Sequence, residues 1–332
     1  MNNAWHKSLG LHWPIIQAAM GGGIATAELA TAVSRAGGLG SIGLLPEGQF
    51  AQEITKARAA LGDTPFAANL LMPLLRRGHI QACLDQQVPV VSLFYGYRRG
   101  LVDKLRAAGS YVIYQIGSRE EADLAVREGA DALIVQGTEA GGHVRATESL
   151  WPLLAAIRPA HPGVPMLAAG GIHDAASVRR AHAAGADGVN VGTRFLLTPE
   201  AHAHEAYKQR LLEADSTLLT RLFSLGWDAP HRVAANAATR RWCDADGSVP
   251  RWLSIFNRLS EAPTRLLPLR LAESLIRLQS PGRPFFSPFP LTRSMPARID
   301  TTPLYAGAGV AQIYDIRPAV EVVAELAKGY ET

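Results

Sequence analysis

Of the ten histidines in the chain, His143 is the one best placed to do chemistry, because it closes the glycine-rich run QGTEAGGH at 136–143. An imidazole titrates near neutrality and can take or give a proton at working pH. Glu139 in the same run reads as a loop anchor that accepts hydrogen bonds from backbone amides, not as a general base. Two further runs, AAGGI with Gly170 and Gly171 and NVGTRF with Gly192 and Thr193, can bring backbone N–H groups close to a phosphate. Asn69, Gln115 and Gln136 carry amides, which donate and accept at the edge of a flat heteroaromatic ring. Met20 and the alanines before it, Ala18 and Ala19, offer an apolar wall against one ring face. A phosphate, a ring edge and an apolar wall describe a mononucleotide cofactor better than a sugar phosphate, and FMN is the first choice.

Two other histidine clusters read as structural. His202 and His204, next to Glu205, look like metal ligands, but an i, i+2 spacing on a helix sends the two side chains to different faces. No metal is expected. His173 precedes Asp174, a natural helix N-cap, and capping accounts for that segment. Cys83 and Cys243 form neither a CxxC pair nor a disulfide framework, which points to a reducing, cytoplasmic setting.

These residues need elements to hold them, and the first two thirds of the chain repeats one unit: a helical stretch, a glycine near its end, then a short apolar run. RAGGLGSIG at 35–43, RAAGSYVIYQ at 106–115, REGADALIVQ at 127–136 and HAAGADGVNVG at 182–192 are four copies. Glycine at C′ takes the left-handed conformation that ends a helix, and a Val, Ile and Leu run makes a strand buried on both faces. Strands are expected at Pro14–Gln17, Leu39–Gly43, Phe66–Asn69, Val90–Phe94, Val112–Gln115, Ala132–Val135, Pro165–Ala168 and Gly188–Val191. Eight such units in sequence make an α/β fold, a (β/α)8 TIM barrel, and not an open doubly wound sheet. In such a barrel the site lies at the C-terminal strand ends, where the candidate residues fall, and the loops after strands seven and eight commonly bind phosphate.

Beyond about Ala206 the punctuation stops. Residues 207–300 contain two helix-like stretches, AYKQRLLEADSTLLTRLFSL and APTRLLPLRLAESLIRLQ, and then PGRPFFSPFP at 281–290, either an extended loop or an apolar cover over a pocket. An amphipathic helix starting at Pro318 can supply the last outer helix. The expected organisation is therefore a barrel at 1–206 completed by 301–332, with a mostly helical substrate or lid domain at 207–300.

With 332 residues the chain can bury its core without disulfides or a structural metal. Basic and acidic residues nearly balance, 33 against 29, for a formal net charge of +4. The arginine pairs are scattered and not interleaved with aromatics, a poor footprint for nucleic acid. The N-terminus shows no continuous apolar signal region, and Pro14, Gln17, Glu28 and three glycines interrupt the apolar stretch at 14–33, so no membrane span is expected. No coiled-coil heptad appears.

The segments PIIQAAMGGGIATAELATAVSRAGGLGSIG, NLLMP, QGTEAGGH, AAGGI and NVGTRF together resemble those of the nitronate monooxygenases, formerly called 2-nitropropane dioxygenases, an FMN-dependent TIM-barrel family. The likeness runs from Pro14 to Pro199 and resumes at LYAGAGVAQI, 304–313. It implies FMN contacts at Asn69, Gln136, Gly141, Gly171, Asn190, Val191, Gly192 and Thr193, a flavin lined by the backbone of Ala19 and Met20, and His143 as the catalytic histidine. Gln115, Gly142 and Gly170 complete the set of expected cofactor-binding positions. The family often has a Thr- and Phe-containing segment after strand four where this chain reads VSLFYGYRRG, so the resemblance speaks to the flavin and not to the substrate.

The reaction it implies is oxidation of an alkyl nitronate. The anion is held near His143 and gives an electron to FMN, and O2 completes conversion to a carbonyl compound and nitrite. An NAD(P)H-dependent reductase of a quinone or enoyl thioester fits the same scaffold, as does a flavin-binding protein without turnover. The expected partners are a small electron donor and O2.

Overall fold

The computed structural model of the chain describes residues 5–265 and 279–331. Eight parallel strands form one sheet: β1 (Ile15–Gln17), β2 (Ser41–Ile42), β3 (Ala67–Leu71), β4 (Val90–Phe94), β5 (Tyr111–Ile116), β6 (Ala132–Gln136), β8 (Met166–Ala169) and β9 (Gly188–Val191). The two-residue strand β7 (Gly142–His143) lies outside it. The sheet runs β1-β9-β8-β6-β5-β4-β3-β2, and the parallel bridge Ile16↔Leu39 joins its two ends. This is the (β/α)8 barrel, with every expected strand present.

Strand side chains alternate between faces. One face of each barrel strand therefore points into the barrel and the other packs on the helices. The outward set, including Ala68, Val91, Val112, Leu133, Val135, Val189 and Val191, joins the outer helices in the largest buried cluster. The inward set at the lower end is apolar: Ile16, Leu39, Ala67, Val90, Ile113, Ile134 and Leu167 fill the barrel with Trp5 and Leu11. Trp5, on the short helix Trp5–Ser8, closes the bottom and donates its indole N–H to the Asp187 carbonyl at 3.1 Å.

The helix Ala319–Ala327, preceded by Pro318 as expected, packs on β1 and on the helices Ala27–Arg35 and Ala175–Ala183. Between 207 and 300 the chain forms helices Glu205–Leu212, Ala237–Trp242 and Arg251–Arg265. It also forms two strands, β10 (Thr217–Thr220) and β11 (His231–Ala234), which make an antiparallel sheet in the order β10-β11-β7.

The stretch at 206–225 is thus not one helix. It stops at Leu212 and re-enters as β10, where Leu218 packs on a small second core of Leu222, Phe223, Val233, Ala238, Leu253 and Phe286. The second expected helical stretch lies outside the described residues from 266 to 278. No helix among the described residues is long and apolar enough to cross a membrane.

Candidate functional site

The barrel mouth opens into a cavity of about 310 Å³. Its floor follows from the strand period. Asn69 shares a face with Ala67, Gln115 with Ile113, Gln136 with Ile134 and Asn190 with Gly188, so each amide points inward, Gln115, Gln136 and Asn190 at the C-terminal ends of their strands and Asn69 at mid-strand with Leu71 beyond it. All four line the cavity, as do Ala19, Met20, Gly141, Gly142, His143, Gly170, Gly171, Gly192 and Thr193. Val191 is the exception. One residue past Asn190, its side chain falls on the outer face and packs in the helix-facing core, leaving only its carbonyl to accept from Ala18 N at 2.8 Å.

The amides are used differently. Gln136 spends both ends on the loop beyond it: Nε2 donates to the His143 carbonyl and Oε1 accepts from Arg145 N, each at 3.0 Å. Asn69 Nδ2 donates to the carbonyl and to Oγ of Ser92, both at 3.1 Å, which leaves its Oδ1 free. Gln115 and Asn190 form no side-chain hydrogen bond with the described residues, although Asn190 is buried. Asn190, a buried amide unpaired among the described residues, and the half-buried Gln115 present polar groups from one cavity wall to a ligand.

Gly170 and Gly171 take φ of 129° and 69°, a region closed to most side chains. They turn the chain after β8 so that backbone faces the cavity. The N–H groups of Gly171, Gly192 and Thr193 donate to no acceptor among the described residues. Thr193 Oγ1 accepts from Gly307 N at 2.9 Å, tying this loop to the segment 304–310. Glu139 acts as the loop anchor expected of it, with Oε2 accepting from Leu150 N at 2.9 Å and its carbonyl from Ala308 N at 2.9 Å.

Gly141 packs directly on that segment. A Cβ there would stand 2.6 Å from both the Ala306 carbonyl carbon and Gly307 N. Gly141→Ala is expected to cost about 1–3 kcal/mol of stability, because two backbones must part. Thermal unfolding checks this, and an unchanged midpoint would show that the two segments are free to separate.

His143 sits on β7, which pairs with β11 in the register His231↔His143. Its Nε2 is buried with no hydrogen-bond partner among the described residues, and Trp227 stacks on its ring. Burial, with a smaller contribution from His231, pushes its pKa well below the usual imidazole value, so the ring is neutral at pH 7. His231 is neutral too, and its tautomer is fixed. Phe223 N donates to Nε2 at 3.2 Å, so Nδ1 carries the proton and donates to the Ala229 carbonyl at 2.9 Å.

The sequence reading did not identify several cavity residues. Leu225, Gly226 and Trp227 come from the turn before β11, and Tyr305, Gly307 and Gly309 from the C-terminal segment. The GAG of LYAGAGVAQI was their one local signal. Ser287–Pro290, from the Pro- and aromatic-rich segment, also line the cavity. Tyr305 Oη donates to the Pro288 carbonyl at 2.6 Å, and Pro290 Cδ lies 2.6 Å from where a Cβ on Gly22 would be, so this segment is anchored at the cavity wall.

His173 lines the cavity as well, with Nδ1 at 3.1 Å from the Gly171 carbonyl. Asp174 caps the following helix through Ser177 N at 2.8 Å. His202 and His204 precede their helix instead of lying on it, and His204 Nδ1 is its N-cap, accepting from Ala206 N at 3.0 Å.

The sequence profile described as nitronate monooxygenase matches residues 3–81 and 75–251. A Mycobacterium tuberculosis protein named (3aS,4S,5R,7aS)-5-hydroxy-7a-methyl-1-oxo-octahydro-1H-indene-4-carboxyl-CoA dehydrogenase is 37% identical, with 68% of this chain and 64% of that one covered. The chain thus spans just under two thirds of that relative's length. A Bacillus subtilis protein named as a probable nitronate monooxygenase is 35% identical over 67% of this chain and 77% of its own. Among solved structures, a nitroalkane oxidase from Streptomyces ansochromogenes superposes with a TM-score of 0.76 at 28% identity, covering 98% of this chain and 99% of that one.

Proposed function

The chain belongs to the nitronate monooxygenase family, and from that premise we propose that it is a flavin-dependent oxidoreductase that oxidises an alkyl nitronate with O2 to a carbonyl compound and nitrite. The observation that carries this reading is His143: a neutral, unpartnered imidazole facing a cavity whose other free polar groups are ring-edge amides and backbone N–H groups.

Those groups fit FMN. Gly170-Gly171 and Gly192-Thr193 would hold its phosphate with backbone N–H groups. Gln115, Asn190 and the free Oδ1 of Asn69 would meet the polar edge of the ring, and Ala19 and Met20 would form the wall against its face. Gln136 would meet the ring from the same cavity wall while its amide also positions the loop that carries His143. When bound, FMN would supply the electron acceptor that the protein's own side chains lack.

The chain's residues then do the remaining work. His143 meets the substrate as a neutral ring, so its N–H can donate a hydrogen bond to a nitronate oxygen, and the same ring can accept the proton of the carbon bearing the nitro group when the substrate arrives as the neutral nitroalkane. It attracts a nitronate through a hydrogen bond and not through a full positive charge. Ser287–Pro290 and Leu225–Trp227 keep water out, which strengthens such bonds. In this reading residues 207–300 form the substrate cover over the barrel.

A second reading is an NAD(P)H-dependent reductase of an enoyl thioester or quinone. The 37% identical relative is named as acting on a CoA thioester, and Leu71, Leu74, Phe94, Leu225 and Phe289 give the cavity an apolar side suited to an acyl group.

Anaerobic mixing separates the readings. The purified protein should be yellow and release FMN on denaturation, and an alkyl nitronate alone should bleach the flavin. Bleaching only by NADH or NADPH favours the reductase, no bleaching by any donor favours a flavin-binding protein without turnover, and a colourless protein that cannot be reconstituted removes the cofactor.

A further inference from the structure

The ring of His143 is held in an unusual way. The main chain around it is well bonded, through Gln136 on one side and β11 on the other. The imidazole itself makes no hydrogen bond to the described residues. What touches it is aromatic. The Trp227 indole lies on its face, with centroids 3.8 Å apart and 16° between the planes. Tyr95, His231 and Tyr305 surround it at centroid distances of 6.3, 5.6 and 5.5 Å.

Trp227 is itself fixed from several sides. Tyr95 packs edge-on against it at 4.8 Å and 84°. That residue has φ of 67°, a left-handed conformation that costs a non-glycine residue about 1–3 kcal/mol and persists only where the surroundings enforce it. The Arg145 guanidinium lies over the Tyr95 ring at 5.0 Å and is held by Glu121, with Nε donating at 2.7 Å. Around Trp227 the turn is closed by Trp227 N donating to the Ser224 carbonyl at 3.0 Å, Gly226 N to Ser260 Oγ at 2.8 Å and Asp228 N to Glu261 Oε1 at 2.8 Å.

We propose, on the reading of His143 as the acid/base group, that Trp227 is its positioning residue: the stacked indole, in place of a hydrogen-bonded side chain, sets the plane of the imidazole and closes it off from water. A hydrogen-bonded carboxylate would orient the ring but would also favour its protonated form. An indole orients it without bringing a charge. The titratable rings facing His143 are Tyr95, His231 and Tyr305; of the charges on the neighbouring elements, Arg145 is paired with Glu121 and Arg221 with Asp228, while Arg232 donates to the Thr138 carbonyl. The stacked indole face attracts a cation modestly, but burial is the leading influence on the ring and holds it neutral, and removing the indole admits water that solvates the charged form.

The test follows the His143 ring by NMR in the purified holoprotein labelled with 15N-histidine, assigned by difference against H143Q. In the parent protein the ring should stay neutral through the pH range in which an ordinary histidine takes up its proton. In W227L its titration midpoint should rise by about one unit or more toward the ordinary value. Turnover of the substrate that bleaches the flavin should fall about tenfold or more in kcat, with a smaller change in KM. W227F, which keeps a flat ring on the imidazole, should restore both.

An unchanged titration and kcat in W227L overturns the proposal, and so does a W227F protein that behaves like W227L. Should W227L not fold, W227F decides alone: a parent-like titration supports the proposal and a raised midpoint overturns it. If H143A proves fully active, the acid/base reading falls, while the NMR titration still reports whether the indole governs the ring.

Discussion

Replacing His143 with alanine is expected to lower turnover by about 10²–10⁴-fold while the protein keeps its flavin. The two halves of that result rest on different parts of the site. The imidazole is a buried titratable group in the cavity wall, and its Nε2 has no hydrogen-bond partner among the described residues. The groups proposed to hold the cofactor, Gly170-Gly171, Gly192-Thr193, Gln115 and Asn190, belong to β5 and to the ends of β8 and β9 and do not touch it. Gln136 bonds the main chain at 143 and 145, so the loop keeps its shape without the side chain. Steady-state turnover, together with the ratio of flavin to protein absorbance, checks both halves. Full retention of activity removes His143 from the chemistry, and loss of flavin would mean that the ring is part of the cofactor cradle.

Acidification from pH 6.5 to about 4 is expected to remove about 3 kcal/mol of stability through His231 alone. Burial depresses this imidazole from 6.5 to about 4. The bond to the Ala229 carbonyl opposes that shift, and Arg221 adds to it. A depressed histidine is neutral in the fold and protonated in the unfolded chain across that interval, so the unfolded state binds more protons and gains as pH falls. The contribution is complete above 6.5 and gone near 4. His143, depressed for the same leading reason, acts in the same direction. The carboxyls of Asp174 and Asp315 are also lowered, from 3.8, so their losses fall below this window. Denaturant unfolding at a series of pH values measures the slope. His231→Phe should start less stable and respond less steeply between 6.5 and 4, and a flat parent profile would show that His231 protonates within the fold.

The barrel was legible because its punctuation is local. Gly37, Gly109, Gly129 and Gly185, read as helix ends in four repeated segments, have φ of 90°, 89°, 84° and 90°. The apolar runs after them are strands, and the inward position of Asn69, Gln115, Gln136 and Asn190 follows from the two-residue period. The same period would have set Val191 on the outer face had it been applied there. Strand β10 was hidden because Thr217–Thr220, half-buried and short, continues an apolar pattern that a helix also satisfies. The ring of aromatics around His143 had no local signature at all. Tyr95, Trp227 and Tyr305 come from three distant parts of the chain and meet only because β11 pairs with β7 and the segment at 304–306 runs beside β11.

That pairing governs how parts of this chain can be exchanged with those of its relatives. The strand bearing His143 takes its ladder partner from β11, with Val144 N donating to the Pro230 carbonyl just beyond the ladder, and the barrel holds it through the Gln136 side chain. Arg232 Nε reaches the Thr138 carbonyl at 2.7 Å, and Ala306 N reaches the Arg232 carbonyl at 3.3 Å. A graft cut at the sequence ends of 207–300 would therefore sever the bonds that align the imidazole. The transplantable piece is discontinuous, made of 137–145, 217–234 and 304–308 taken together, so the pocket wall at Leu225–Trp227 can be exchanged only along with the strand that carries His143.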